Sequence, residues 1–292
     1  MNNQKKSYLF AISAILLWST VSTAFKISLE KLGFVQLLFV SSSIATLILF
    51  AIVLIQKKTN QIFSSPRNIL NSALVGFLNP FAYYLVLLKA YSVLPAQIAQ
   101  PLNYTWPIVL VLLSAPLLKQ KLYLKSIIAL IISFTGVFII ASQGNFTTFK
   151  IDNPLGIFLA TGSSIIWALF WILNIKDKRD ETVKLFLNFF FGTIYTFVVL
   201  IVFFEIRIEF SKSLISAIYV GFFEMGITFV LWLKALQYAK SNEKINNLVY
   251  ISPFMALIFI HFILKEEILY TTLIGLIFII TGILVQQISK NK

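Results

Sequence analysis

Glu224 has more chemistry to offer than any other residue in this chain. It stands in the run 213–236 among aliphatic, aromatic, glycine and threonine neighbours. A carboxyl group in a stretch of that kind is costly unless it faces the protein interior or a wet cavity. There it could pair with an ammonium group or take up a coupling proton. The plain alternative is a protonated acid that bonds a neighbouring helix and serves packing alone. Asn79 lies 145 residues earlier, polar in its own apolar run, 69–90. Helical spacing puts Gly76, Asn79 and Tyr83 on one face, and Gly221, Glu224 and Thr228 on another.

The same spacing gathers further groups. Gln97, Gln100, Tyr104 and Pro107 recur at intervals of three or four, as do Asn246, Tyr250 and Pro253. Trp18 and Ser22 share a face, and so do Ser163, Trp167, Trp171 and Asn174. Indole and phenol faces stack on flat apolar groups and attract cations. With amides beside them and one acid, they suit an amphipathic, amine-bearing small molecule, with amino acids, aromatic ones above all, as the leading class. A nucleoside-like or sulfonium metabolite such as S-adenosylmethionine fits the same residues. Pro107 and Pro253 remove backbone donors at matching positions and are the candidate hinges.

The elements that must carry these residues are membrane helices. Hydrophobic residues make up 59% of the 292 positions and charged ones only 12%, about half the usual charged share of a globular chain. Ten apolar runs fall near 7–25, 34–55, 69–90, 95–118, 123–142, 154–175, 183–204, 213–236, 245–264 and 268–288. Each is close to the roughly 20 residues that cross a hydrocarbon core. The expected fold is an all-α membrane protein of ten transmembrane helices. The first run continues past Met1–Lys6 without a small-residue cleavage pattern, so it reads as a span and not a removed signal peptide. The polar groups fall on runs 1, 3, 4, 6, 8 and 9, and runs 2, 5, 7 and 10 are left to face lipid. With an N-terminus in the cytoplasm, 17 of the 24 Lys and Arg lie on the inner side, which places both termini there. That distribution also explains the net charge of +13 without nucleic acid as a partner. The expected partners are the bilayer and a small-molecule substrate, and the expected location is the plasma (inner) membrane, as a multi-pass protein.

The chain also repeats itself. Leu88-Lys89-Ala90 returns as Leu233-Lys234-Ala235 and Gly76 as Gly221; with one residue inserted, Pro107 returns as Pro253 and Thr135-Gly136 as Thr281-Gly282. The units are 7–142 and 154–288, five runs each. An odd number of spans sets the second unit upside down relative to the first, the arrangement of inverted repeats with a site at the midplane between them.

Taken with Leu17-Trp18-Ser19-Thr20, Asn103-Tyr104-Thr105-Trp106-Pro107, Leu264-Lys265-Glu266-Glu267, Gly275 and Gly282, this layout resembles the drug/metabolite transporter superfamily, in its form with two EamA-like five-helix repeats. The Leu-Trp-Ser-Thr and Asn-Tyr-x-Trp-Pro pieces are similar to those of its aromatic amino-acid exporters. The resemblance implies a secondary transporter working by alternating access around a central cavity, and it adds Asn103 to the candidate substrate-binding residues. Where the family carries an acid after the fourth span, this chain has Gln120 and Lys121, so that role passes only to Glu266 or Glu267.

Other classes fare worse. No cysteine, no His/Asp/Glu metal cluster, no Gly-x-Ser-x-Gly turn and no Walker-type loop occurs in the sequence, which counts against an intramembrane lipid-modifying enzyme and direct ATP driving. No cofactor or metal is expected. His261, the only histidine, reads more readily as a packed side chain than as a proton relay.

Overall fold

The computed structural model describes residues 3–63, 65–118, 124–144, 153–206, 208–239, 245 and 248–288. Among them all the regular structure is helical. Seven helices are long and apolar enough to cross a membrane, and three shorter apolar helices accompany them at Ser126–Ser142, Val249–Leu264 and Tyr270–Gln286. In chain order the helices are α1 Asn3–Leu29, α2 Phe34–Ile55, α3 Pro66–Gly76, α4 Tyr83–Val93, α5 Ala96–Asn103, α6 Trp106–Leu118, α7 Leu124–Ser142, α8 Pro154–Lys176, α9 Glu181–Phe203, α10 Lys212–Phe223, α11 Ile227–Tyr238, α12 Ser252–Phe259 and α13 Tyr270–Ile288.

Three of the continuous runs expected from hydropathy are broken midway. The run 69–90 becomes α3 and α4, joined by a π-helical turn, Phe77–Ala82, in which Asn79 has non-helical φ/ψ of −144°/121°. Pro80 explains this: it cannot donate to the carbonyl four residues back, and it pushes the residue before it into extended backbone. The run 213–236 breaks at Glu224 to Gly226 with no proline involved; Gly226 takes φ −108° and ψ −92°, and Thr228 Oγ1 donates to the carbonyl of Phe223. The run 95–118 breaks at Tyr104 and Thr105, just ahead of Pro107, while Pro101 stays inside α5. Pro253 sits in the first turn of α12, after a 3-10 turn at Val249–Ile251.

Helices before residue 142 pack mainly on helices after 154. The principal pairings are α1 with α10, α11 and α12, α2 with α9 and α10, α4 and α6 with α8, and α7 with α13. The last pair touches backbone to backbone: a Cβ on Gly136 would stand 2.4 Å from the Gly275 oxygen, and one on Gly275 2.6 Å from the Gly136 oxygen. Small residues at such crossings are how helices approach closely where lipid supplies no hydrophobic driving force. Outward faces are apolar, as on α7 (Ile127, Ile131, Phe134, Phe138) and α9 (Ile194, Phe197, Ile201). Surfaces of this kind suit hydrocarbon and not water.

Candidate functional site

The interleaved helices enclose a cavity of about 450 Å³. Its wall is aromatic. Trp18 of α1 tilts against Trp232 of α11 at 5.3 Å between ring centroids, and meets Phe229 edge-on at 6.2 Å. Phe229 also lies 6.1 Å from Trp167 of α8, over which Tyr83 of α4 lies at 4.5 Å, and Trp167 meets Trp171 edge-on at 6.0 Å. Tyr104 and Pro107, from the break between α5 and α6, and Tyr250, ahead of α12, complete the ring.

Glu224 faces this space from the break between α10 and α11, where the backbone departs from helix and sets the side chain at the end of α10. Its Oε1 accepts a hydrogen bond from the Tyr84 hydroxyl at 2.9 Å, and Tyr84 is buried behind Tyr83. The remaining polar groups of the wall divide into two kinds. Asn103 is used up within the protein: its Oδ1 accepts from Tyr83 OH at 3.2 Å and its Nδ2 donates to Ser163 Oγ at 2.8 Å. Ser22 and Tyr91 bond each other at 2.8 Å, and Tyr104 OH donates to the Val249 carbonyl at 3.1 Å. By contrast, Gln100 Oε1 and the Trp171 indole Nε1 are buried with no hydrogen-bond partner among the described residues. Among the described residues, no group of three or more His, Asp or Glu could hold a metal ion.

Trp18, Ser22, Tyr83, Gln100, Asn103, Tyr104, Pro107, Trp167, Trp171, Glu224 and Tyr250 therefore line one space. Asn79 does not. It is fully buried in the π-helical turn, and neither polar atom of its amide has a hydrogen-bond partner among the described residues. Pro253 is buried at the start of α12 and outside the wall, and Asn246 lies outside the described residues. Gln97, expected on the cavity face, turns to the loop before α13 instead: its Nε2 donates to the Glu267 carbonyl at 2.7 Å and its Oε1 accepts from Leu269 N at 2.8 Å. His261 is exposed, not packed, with Nδ1 3.0 Å from the Glu266 carbonyl oxygen.

Several wall residues escaped the sequence reading. Trp232 stands one turn beyond Thr228, and the face begun at Gly221 extends to it. Gln286 and Ile283 bring α13 into the wall, so the last run is not wholly lipid-facing; a glutamine among its aliphatic residues was the available signal. Tyr84 gave none, because only the fold brings it to Glu224.

Glu266 serves the α4–α5 connection. Its two oxygens accept from the backbone N–H groups of Ala96 (2.9 Å) and Gln97 (3.2 Å) at the start of α5. A carboxylate there answers both the open donors and the positive end of the helix dipole. Lys26 of α1 holds the other side of the same connection, donating to the carbonyls of Tyr91 and Leu94 at 3.0 Å each.

The family profile described as the EamA-like transporter family matches the sequence twice, over residues 5–142 and 154–286. The chain belongs to that family. It is also similar to an uncharacterized transporter of Clostridium kluyveri, 24% identical over 99% of this chain and 95% of that one. A second uncharacterized transporter, from Archaeoglobus fulgidus, is 26% identical over 60% of this chain and 62% of its own. The fold is shared with a crystal structure at a TM-score of 0.68, with 19% identity and 97% of both chains covered. The chain is thus a multi-pass membrane protein of a transporter family, and residues of both matched stretches line the aromatic cavity.

Proposed function

We propose that this chain is a secondary transporter of small amphipathic, amine-bearing metabolites, amino acids and their derivatives, with the aromatic ones foremost. The observation that carries the reading is Glu224, among the described residues the one acidic group in the wall of an otherwise aromatic and amide-lined cavity. Its carboxylate would hold the ammonium group or a coupling proton, and the rings of Trp18, Tyr83, Trp167 and Trp171 would hold the apolar body. Ten spans in two inverted units, 7–142 and 154–288, would place the cavity near the midplane of the plasma membrane with both termini in the cytoplasm. The break ahead of Pro107 and the 3-10 turn ahead of Pro253 would let the two halves rock about the site.

The test is uptake of labelled aromatic amino acids, aromatic amines and nucleosides into proteoliposomes, across a pH series, for the native chain and Glu224→Gln. Saturable uptake of an amine-bearing compound that falls in Glu224→Gln supports the proposal. Uptake confined to nucleosides, or unchanged affinity and pH dependence in the variant, counts against it.

A further inference from the structure

Toward the α4–α5 connection the wall of the aromatic cavity includes Ser22 and Phe25 of α1 and Tyr91 of α4. Tyr91 bonds Ser22 through its hydroxyl at 2.8 Å and meets Phe25 edge-on at 5.1 Å between ring centroids. A second cavity, also of about 450 Å³, lies at the connection itself, with Lys26, Leu94, Gln97 and Glu266 in its wall. Tyr91 reaches from one cavity to the other, since its carbonyl accepts from Lys26 at 3.0 Å.

Two opposite charges in the second cavity each answer a helix end. Carbonyls at the end of α4 stand at the negative pole of its dipole, and the first N–H groups of α5 are open donors at a positive one. Lys26 donates to the carbonyls of Tyr91 and Leu94, and Glu266 accepts from Ala96 and Gln97. The two side chains share a cavity yet form no ion pair with each other. The connection is therefore held from α1 on one side and from the loop before α13 on the other, to which Gln97 also bonds. These two supports belong to different matched stretches. Half-buried polar bonds beside a cavity exchange with water at small cost. The backbone-to-backbone crossing of α7 and α13 has no such freedom.

We infer that the α4–α5 connection is a gate of the aromatic cavity, latched by Lys26 on the carbonyl end of α4 and by Glu266 on the N–H end of α5. The step rests on the transporter reading of that cavity and not on the class of solute. When the connection swings away, water takes over both helix ends and the two freed charges meet each other. Closed and open forms then differ by an exchange of partners, the condition for a two-state element.

The chain has no cysteine, so two introduced ones are the only sites for spin labels. Ser92→Cys on the connection and Glu267→Cys on the loop before α13, both exposed positions, report their separation by double electron–electron resonance. The full chain is measured in lipid nanodiscs without solute. The reporter pair alone should give one dominant short distance. Lys26→Met and Glu266→Gln should each raise the ratio of a longer population to the short one by about five- to ten-fold, for the loss of charge-assisted bonds at a half-buried site. Each variant is first checked for a monodisperse elution profile. The two act from opposite sides of the connection, so if one does not fold the other decides. A short distance unchanged in the folded variants would overturn the latch and leave the transporter reading standing. A longer population in the variants, beside a native chain that takes up no amine, would support the latch and overturn the proposed solute class.

Discussion

Of the three interrupted runs, two break at positions 145 residues apart, Asn79 and Glu224, and these two interruptions serve different ends. At the first, Pro80 forces the break and Asn79 is packed away beyond the cavity wall, its amide without a partner among the described residues. At the second, a glycine and a threonine hydroxyl accommodate the break, and Glu224 enters the cavity with a tyrosine bonded to it. The tyrosine comes from the first region, since Tyr84 directly follows that interrupted turn. The pairing of Asn79 with Glu224 by sequence lag therefore does not become a pairing in space. One break supplies the acid and the other aims the group that holds it.

That contrast can be broken by substitution. Glu224→Ala is expected to weaken amine affinity roughly ten- to hundred-fold, the range for a lost charge-assisted hydrogen bond, read in proteoliposome uptake. Asn79→Leu should leave uptake intact and hold or raise the thermal midpoint in detergent, because an apolar side chain of similar size replaces an amide that has no partner among the described residues. A loss of uptake in Asn79→Leu would erase the distinction.

Gly76 tests the packing behind the first break. A Cβ there would stand 2.4 Å from the Asn188 carbonyl oxygen of α9, against 2.6 Å from Ser41 O for Gly221 in the second region. Backbone is the obstacle in both cases, so Gly76→Ala and Gly221→Ala should each cost about 1–3 kcal/mol of stability. A midpoint unchanged in either would show that its neighbouring helix yields easily.

A smaller effect is expected for Tyr84→Phe, which leaves the ring and removes only the hydroxyl bonded to Glu224. About 1 kcal/mol, or roughly five-fold in amine affinity, is the expected loss, and it should vanish when combined with Glu224→Ala.

The smallest effect lies outside the helices, where the α8–α9 connection is tied to the α2–α3 region. Arg179 bonds Asp177 and donates to Asn68 O (3.0 Å) and Ser72 Oγ (2.8 Å), while Lys58 meets Asp180 at 2.6 Å. Burial alone would raise both carboxyls, but the bonds from Arg179 and Lys58 hold them below the usual carboxylate range. A depressed folded value means the stabilisation is complete above the ordinary aspartate value, and it is lost as pH falls through the lower, folded one. Asp177→Asn should therefore lower the midpoint slightly at pH 7 and flatten its fall in acid; an unchanged acid limb would exclude the tie.

How much of this was legible in the sequence differs by level. The helical membrane class followed from run length, and most of the wall from polar residues costly in lipid and from aromatic ones at the same helical spacing. Trp18, Trp167 and Glu224 were found in that way. The pairing of side chains was not legible, because Asn103 and Gln100 look alike in sequence and only packing decides which is consumed by Tyr83 and Ser163. The break at Pro80 could be anticipated, but not the direction in which it turns Asn79. His261 was read as packed because its neighbours are apolar, and those neighbours prove to be an outward face.

The account rests on recognition at Glu224, and the most direct measurement is a structure of the chain with a halogenated aromatic amine, the halogen located by its anomalous signal. The expected result is a ring among Trp18, Tyr83 and Trp167 with the nitrogen within hydrogen-bond distance of Glu224. An amine seated against Asn79, or held outside the aromatic ring with Glu224 untouched, would contradict it.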